Sequence, residues 1–155
     1  MADHIVERAL WLPRPRAEVF AFFADPRHLP LVVPPWLRFR WRASPPAVVT
    51  AGTLLDFDTG VLGRWRVMVR ELDAPYRIVD VQLLGPFARW EQRHRFREGA
   101  RPGGGAGGTW VEDVLRYKLP GGALGRLAHG LGAGGVIARA LAYRDRRLAV
   151  LLGAS

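Results

Sequence analysis

The stretch YRIVDVQLLGPFARWEQRHRFREGARPGGGAGGTWVEDVLRYKL, residues 76–119, reads as three consecutive strands. They run Tyr76–Leu84, Arg89–Arg97 and Gly108–Leu119, with Gly85-Pro86-Phe87 and the glycine-rich 99–107 segment as turns. Neighbouring side chains on a strand point to opposite faces. In the second strand Glu91, Arg93, Arg95 and Arg97 therefore share a wet face, and Trp90, Gln92, His94 and Phe96 share the other. In the third, Glu112, Arg116 and Lys118 point outward, so Val111, Asp113, Leu115, Tyr117 and Leu119 point inward. The first is less clean: Arg77 shares a face with Val79, Val81 and Leu83, opposite Tyr76, Ile78, Asp80 and Gln82. If that second set joins the inner face, the interior holds Asp80, Gln82, Gln92, His94, Asp113 and Tyr117 among large apolar groups. Each unpaired polar group in an ordinary core costs roughly 1–3 kcal/mol. A concave pocket, by contrast, uses a few convergent polar groups to orient a ligand.

Working outward, residues 4–12 form a first strand with weak alternation, ended by Pro13 and Pro15. A short helix over 15–24 is apolar nearly all round at Val19, Phe20, Phe22 and Phe23, so it packs on more than one side. Asp25-Pro26 suits the cap and first position of a second short helix, about 26–32. Strands follow at Trp36–Arg42, Thr53–Thr59 and Gly63–Leu72, separated by turn signals that indicate an antiparallel meander. After Pro120-Gly121-Gly122 the spacing of Leu127, Leu131, Ala138, Leu141, Leu148 and Leu152 predicts a long helix. Glycines within residues 130–135 predict a kink, fray or break in it, at about 1 kcal/mol each relative to alanine. The order implies one α+β domain over residues 1–155: a curved antiparallel sheet of six to seven strands wrapped round a long C-terminal helix, with two short helices after the first strand.

The 155 residues suffice for one real core. Cysteine is absent, which excludes disulfides, thiolate chemistry and cysteine zinc sites, and serines only at 44 and 155 leave no convincing triad. No basic-then-apolar leader and no run of about 18 apolar residues is seen, so a cytoplasmic location with no membrane span is expected. The net charge of +9 is almost all arginine, alternating with apolar residues on the strands. That pattern fits a solvated exterior better than a nucleic-acid surface, which would cluster its cations among exposed aromatics. A homodimer remains open.

Together these residues resemble the START/Bet v 1-like (SRPBCC) superfamily, in its bacterial branch of ligand-binding proteins related to polyketide cyclases. The resemblance is carried by Pro15–Pro26 with Leu29, Pro34-Pro35-Trp36, Val79-Asp80-Val81-Gln82, Gly85-Pro86-Phe87, Trp90, His94 with Phe96, Gly108-Thr109, Asp113, Tyr117, Leu119-Pro120-Gly121, Leu124-Gly125-Arg126 and Tyr143-Arg144. It implies a helix-grip fold with a deep cavity between sheet and long helix, but no single function. One departure is Glu91, where the branch often has histidine after the tryptophan; alternation puts this position outside. The glycine-rich loop 99–108 is also unusually long.

The favoured expectation is a binding protein for a small, mostly apolar ligand, such as a lipid, polyketide or quinone-like molecule. Trp41, Phe57, Trp65 and Trp90 would form apolar wall, with Leu141 from the helix; Asp80, Gln82, His94, Asp113, Tyr117 and Arg144 would orient a polar end. The alternatives are a cyclase or dehydratase with His94 and Asp113 or Asp80 as acid–base pair, and a protein or RNA module using the arginine-rich outer face. Tyr117 and Arg144 could polarise a ligand carbonyl. No catalytic residue, cofactor or metal is assigned: His94 with two aspartates fits a structural network better than a metal centre. The Gly130-x-Gly-x-x-Gly135 run matches a dinucleotide fingerprint only by letter, since it lies inside a helical pattern.

Overall fold

Alternation in the central stretch translates directly into a seven-stranded antiparallel sheet in the computed structural model, which describes residues 3–60 and 62–153. Ser155 lies outside the described residues. The strands are β1 (His4–Leu12), β2 (Phe39–Trp41), β3 (Leu54–Thr59), β4 (Gly63–Asp73), β5 (Arg77–Leu84), β6 (Arg89–Ala100) and β7 (Gly107–Lys118). Their order is β1-β7-β6-β5-β4-β3-β2: a meander from β2 to β7, with β1 added on the far edge. Between β1 and the meander lie the helix α1 (Arg16–Ala24), a 3₁₀ turn at Pro26–His28 and the short helix α2 (Leu29–Val32). The chain ends in α3 (Ala123–Ala128), a π turn (His129–Ala133) and α4 (Gly134–Gly153). This is the helix-grip architecture expected from the sequence: a curved sheet closed over a C-terminal helix. Two register shifts in the β4–β5 ladder, at Arg66/Val67 and Val69/Glu71, mark bulges, which increase local bend and twist. The second also changes the strand's phase, so Leu72 rather than Glu71 joins the apolar packing.

Several elements differ from expectation for local reasons. Trp36–Arg42 is not one strand: Pro35–Leu37 forms a 3₁₀ turn and Arg38 takes a left-handed φ of 54°, leaving only Phe39–Trp41 as strand. Two consecutive prolines fix φ and remove donors, which favours the turn over the ladder. Tyr76 lies before β5, exposed beneath the Arg16 guanidinium, whose carbon is 4.6 Å from the ring centroid. Val79 is buried on the outer face, between its cross-strand neighbours Glu71 and Arg93.

The helical stripe also changes at the glycines. Gly132 adopts φ 134°, a conformation open to glycine and strained for any side chain, and the helix breaks there. Leu127 and Leu131 are consequently 59% and 78% exposed, out of phase with the downstream stripe. That stripe is Ile137, Leu141, Arg144, Leu148 and Leu152, one face of α4 turned to the sheet.

The larger core cluster joins Leu12, Val19, Phe20, Val69, Ile78, Phe96, Val111, Leu148 and Leu152, so α1, the sheet and α4 meet in one body. Phe20 and Phe23 of α1 both pack edge-on against Phe96, which seats that helix across the sheet. The outer face is a lattice of ion pairs: across strands, Arg64 and Arg66 on Asp56, Arg70 on Glu91 and Arg97 on Glu112, and within β6, Arg93 on Glu91. Exposed pairs of this kind contribute little stability each, but they engage much of the positive charge.

Candidate functional site

Between the concave face of the sheet, α4 and the short helices lies a cavity of about 270 Å³. Of the sequence-predicted site residues, it is lined by Phe57 and Trp65 from β3 and β4, Asp80 from β5, Trp90 and His94 from β6, and Leu141 and Arg144 from α4. The short helical segment closes one side with Phe22, Phe23, Leu29 and Val32. Gln92 and Thr59 also line it. The wall is mostly aliphatic and aromatic, as ligand clefts generally are.

Four predicted residues lie outside that lining. Trp41 packs in the aromatic cluster behind Phe57, at 6.0 Å between ring centroids. Gln82 pins the β5–β6 turn: its Nε2 donates to the Phe87 carbonyl at 2.7 Å and its Oε1 accepts from the Phe87 N–H at 3.2 Å. A strand-end amide can satisfy a tight turn more readily than it can reach a cavity. Tyr117 is buried beside Leu115, Ile137 and Leu141, and its hydroxyl lies 2.6 Å from Nε2 of His129, which stacks on His4. Asp113 sits behind His94 and is buried.

The polar end is built by strand register and helix phase. His94 on β6 is directly paired with Asp113 on β7 and beside Ile78 on β5. Its Nδ1 is 2.5 Å from Asp113 Oδ1, and its Nε2 is 3.7 Å from Asp80 Oδ2, an ion-pair separation wider than a hydrogen bond. Phe23 packs edge-on against the imidazole at 5.2 Å. Arg144 falls in the apolar stripe of α4, where its charge is met by one carboxylate from the sheet and one from the helix: Nη2 donates to Asp113 Oδ2 and, at 2.8 Å, to Asp145 Oδ1. Asp145 in turn accepts from Arg8 Nε of β1 at 2.8 Å.

Electrostatics follow from this chain of contacts. Burial alone would lower the His94 pKa, but the carboxylates of Asp113 and Asp80 more than offset it and hold the imidazole at about 9. Burial would raise the Asp113 pKa, yet Arg144 and His94 bring it below the ordinary value. Burial opposes the charge of Arg144 too, and Asp113 and Asp145 restore it. At neutral pH His94, Asp113 and Arg144 are therefore all charged, and His94 is a proton donor.

Arg8 and Asp145 were not anticipated. The signal available was a cation at position 8 among the inward Val6, Leu10 and Leu12, and an aspartate adjoining an arginine on a buried helix face. Among the described residues, no group of three or more histidine and carboxylate side chains is placed to hold a metal ion, and no helix is long and apolar enough to cross a membrane.

The fold has solved counterparts. Norcoclaurine synthase from Thalictrum flavum aligns with a TM-score of 0.68 at 11% identity, covering 100% of this chain and 98% of that one. TTHA0849 from Thermus thermophilus aligns at 0.59 and 23% identity, covering 98% and 100%. Protein Ms6760 from Mycobacterium smegmatis aligns at 0.63 and 14%, covering 96% and 90%. No curated protein matches the sequence. At these identities the structural likeness speaks for the fold alone. The family described as polyketide cyclase / dehydrase and lipid transport matches residues 12–142, from the end of β1 to the middle of α4. With the match spanning most of the chain and the helix-grip fold around the cavity, this chain belongs to that family.

Proposed function

We propose that the protein binds a small, mostly apolar ligand in the cavity between sheet and α4. The observation that carries this is the cavity itself: a mostly apolar wall with His94, Asp80 and Arg144 grouped between sheet and α4, and Asp25 and His28 apart from them at the short helices. A volume of about 270 Å³ is just below the usual range of ligand pockets, about 300–1,000 Å³, and favours a compact molecule over a long acyl chain. Family membership supports the reading without naming the ligand. Native mass spectrometry of the protein purified from its own host, followed by denaturing release, tests it. A single retained apolar molecule is expected; its loss in Val67→Trp, which fills the cavity wall, ties it to the site. A lipid, polyketide and quinone panel that never raises the melting temperature would count against binding.

Acid–base chemistry is a second reading, favoured by one arrangement: Asp113 orients His94 while Nε2 faces Asp80 at the cavity. With His94 protonated at neutral pH, the imidazolium would act as the acid and Asp80 as the base on a polyketide-like substrate. Unchanged turnover of an identified substrate by His94→Gln would exclude it.

A further inference from the structure

Hydrogen-bond capacity at the polar end of the cavity is lopsided. Asp113 has both oxygens occupied, Oδ1 by His94 and Oδ2 by Arg144. Asp145 has Oδ1 occupied by Arg144 and Oδ2 by Arg8. Among the described residues, Arg144 Nη1 is buried with no hydrogen-bond partner, and the nearest acceptor recorded for His94 Nε2 is Asp80 at 3.7 Å. Both residues line the same cavity, both are buried (9% and 7% exposed), and both are held by Asp113. Buried N–H groups of charged side chains left unsatisfied are costly, so whatever fills the cavity is selected for an acceptor there.

Charge decides which acceptor. Three carboxylates (Asp80, Asp113, Asp145) face three cations (His94, Arg144, Arg8), so the network is neutral before any ligand enters. An anionic head would add an uncompensated charge beside the buried His94 and Arg144; a neutral oxygen would satisfy the donors and leave the balance intact. We infer that the ligand is an apolar molecule whose polar group is a neutral carbonyl oxygen (ketone, quinone or ester), received by Arg144 Nη1 and His94 Nε2. The inference rests on the cavity-binding reading above. The raised His94 pKa supports it by keeping a proton on Nε2 at neutral pH.

Isothermal titration of the full chain with three bicyclic probes tests it: 1-tetralone, its hydrocarbon counterpart tetralin, and 1-naphthoate. Tetralone is expected to bind about tenfold or more tighter than either of the others. In Arg144→Lys, which keeps the charge but loses the planar fork, the tetralone preference over tetralin should fall below about threefold. Should that variant fail to fold, His94→Gln is read the same way. Equal binding of tetralone and tetralin would overturn the inference and leave the cavity reading standing. Tighter binding of naphthoate would overturn the neutrality, and a tetralone preference retained in both variants would assign the oxygen to other donors. Absence of binding by all three would remove the inference together with the cavity reading.

Discussion

Raising the pH from about 7 to about 9.5 should weaken the fold through one residue, His94. Its pKa is raised from 6.5 in the unfolded chain to about 9 in the folded protein. A group whose folded pKa is raised contributes stability that is fully present below the unfolded value and disappears as pH climbs through the folded value. The difference of about 2.5 pKa units corresponds to roughly 3 kcal/mol at low pH, of which about 2 kcal/mol is lost between pH 7 and 9.5. For a domain of this size that loss amounts to a fall of about 4–8 °C in Tm. Urea denaturation at pH 7, 8, 9 and 9.5 measures it directly, with His94→Gln as the control that lacks the titrating ring. The neighbouring Tyr117 and His129 leave the window clear: burial pushes the Tyr117 hydroxyl up, and partial desolvation with His4 nearby pushes His129 down. Wild type should lose stability across the series while His94→Gln stays flat. Parallel losses in both proteins would refute the assignment of a charged, doubly held imidazole.

Asp113→Asn should cost roughly 3–5 kcal/mol at neutral pH, because it leaves His94 and Arg144 as buried charges short of a carboxylate; chemical denaturation gives the value, and a loss under about 1 kcal/mol would contradict the network. Leu148→Ala removes a side chain that is 1% exposed at the contact of α4 with the core, and should cost about 2–5 kcal/mol by the same measurement. Two neighbouring glycines should respond oppositely. Gly130→Ala meets no atom within 4 Å and should be neutral or stabilise by up to about 1 kcal/mol, whereas Gly132→Ala, at φ 134°, should destabilise by about 1 kcal/mol. A matching sign for the pair would mean that the helix does not break at Gly132.

Legibility in the sequence followed the strength of local contrast. β6 carries arginine or glutamate at every second position from 89 to 97, and β7 has Glu112, Arg116 and Lys118 on one face, so their faces, and the meeting of His94 with Asp113, were readable from the sequence. Gln82 shows the limit of that method: alternation gives the face of a side chain, not whether a nearby turn will claim its amide. Leu127 and Leu131 continue the leucine spacing through the glycines, and only the backbone at Gly132 shows that the phase is lost. Arg8 and Asp145 are 137 positions apart, and nothing local to either links them. Trp36 sat in an alternating run, but the paired prolines before it outweighed the alternation.

The edge position of β1 has a consequence for synthesis. Its nine residues pair only with β7, His4 opposite Tyr117 and Leu12 opposite Thr109. The first strand to leave the ribosome is therefore the last to find a place in the sheet. At about 5–20 residues per second, the hundred or so residues between them take roughly 5–20 s to appear. Throughout that interval β1 presents unpaired backbone and the apolar side chains of Val6, Leu10 and Leu12, and α1 lacks part of the surface it packs on. Closure of the longest loop in the fold is thus deferred until β7 emerges, which makes the nascent chain rather than the finished domain the stage most exposed to mispairing at a sheet edge.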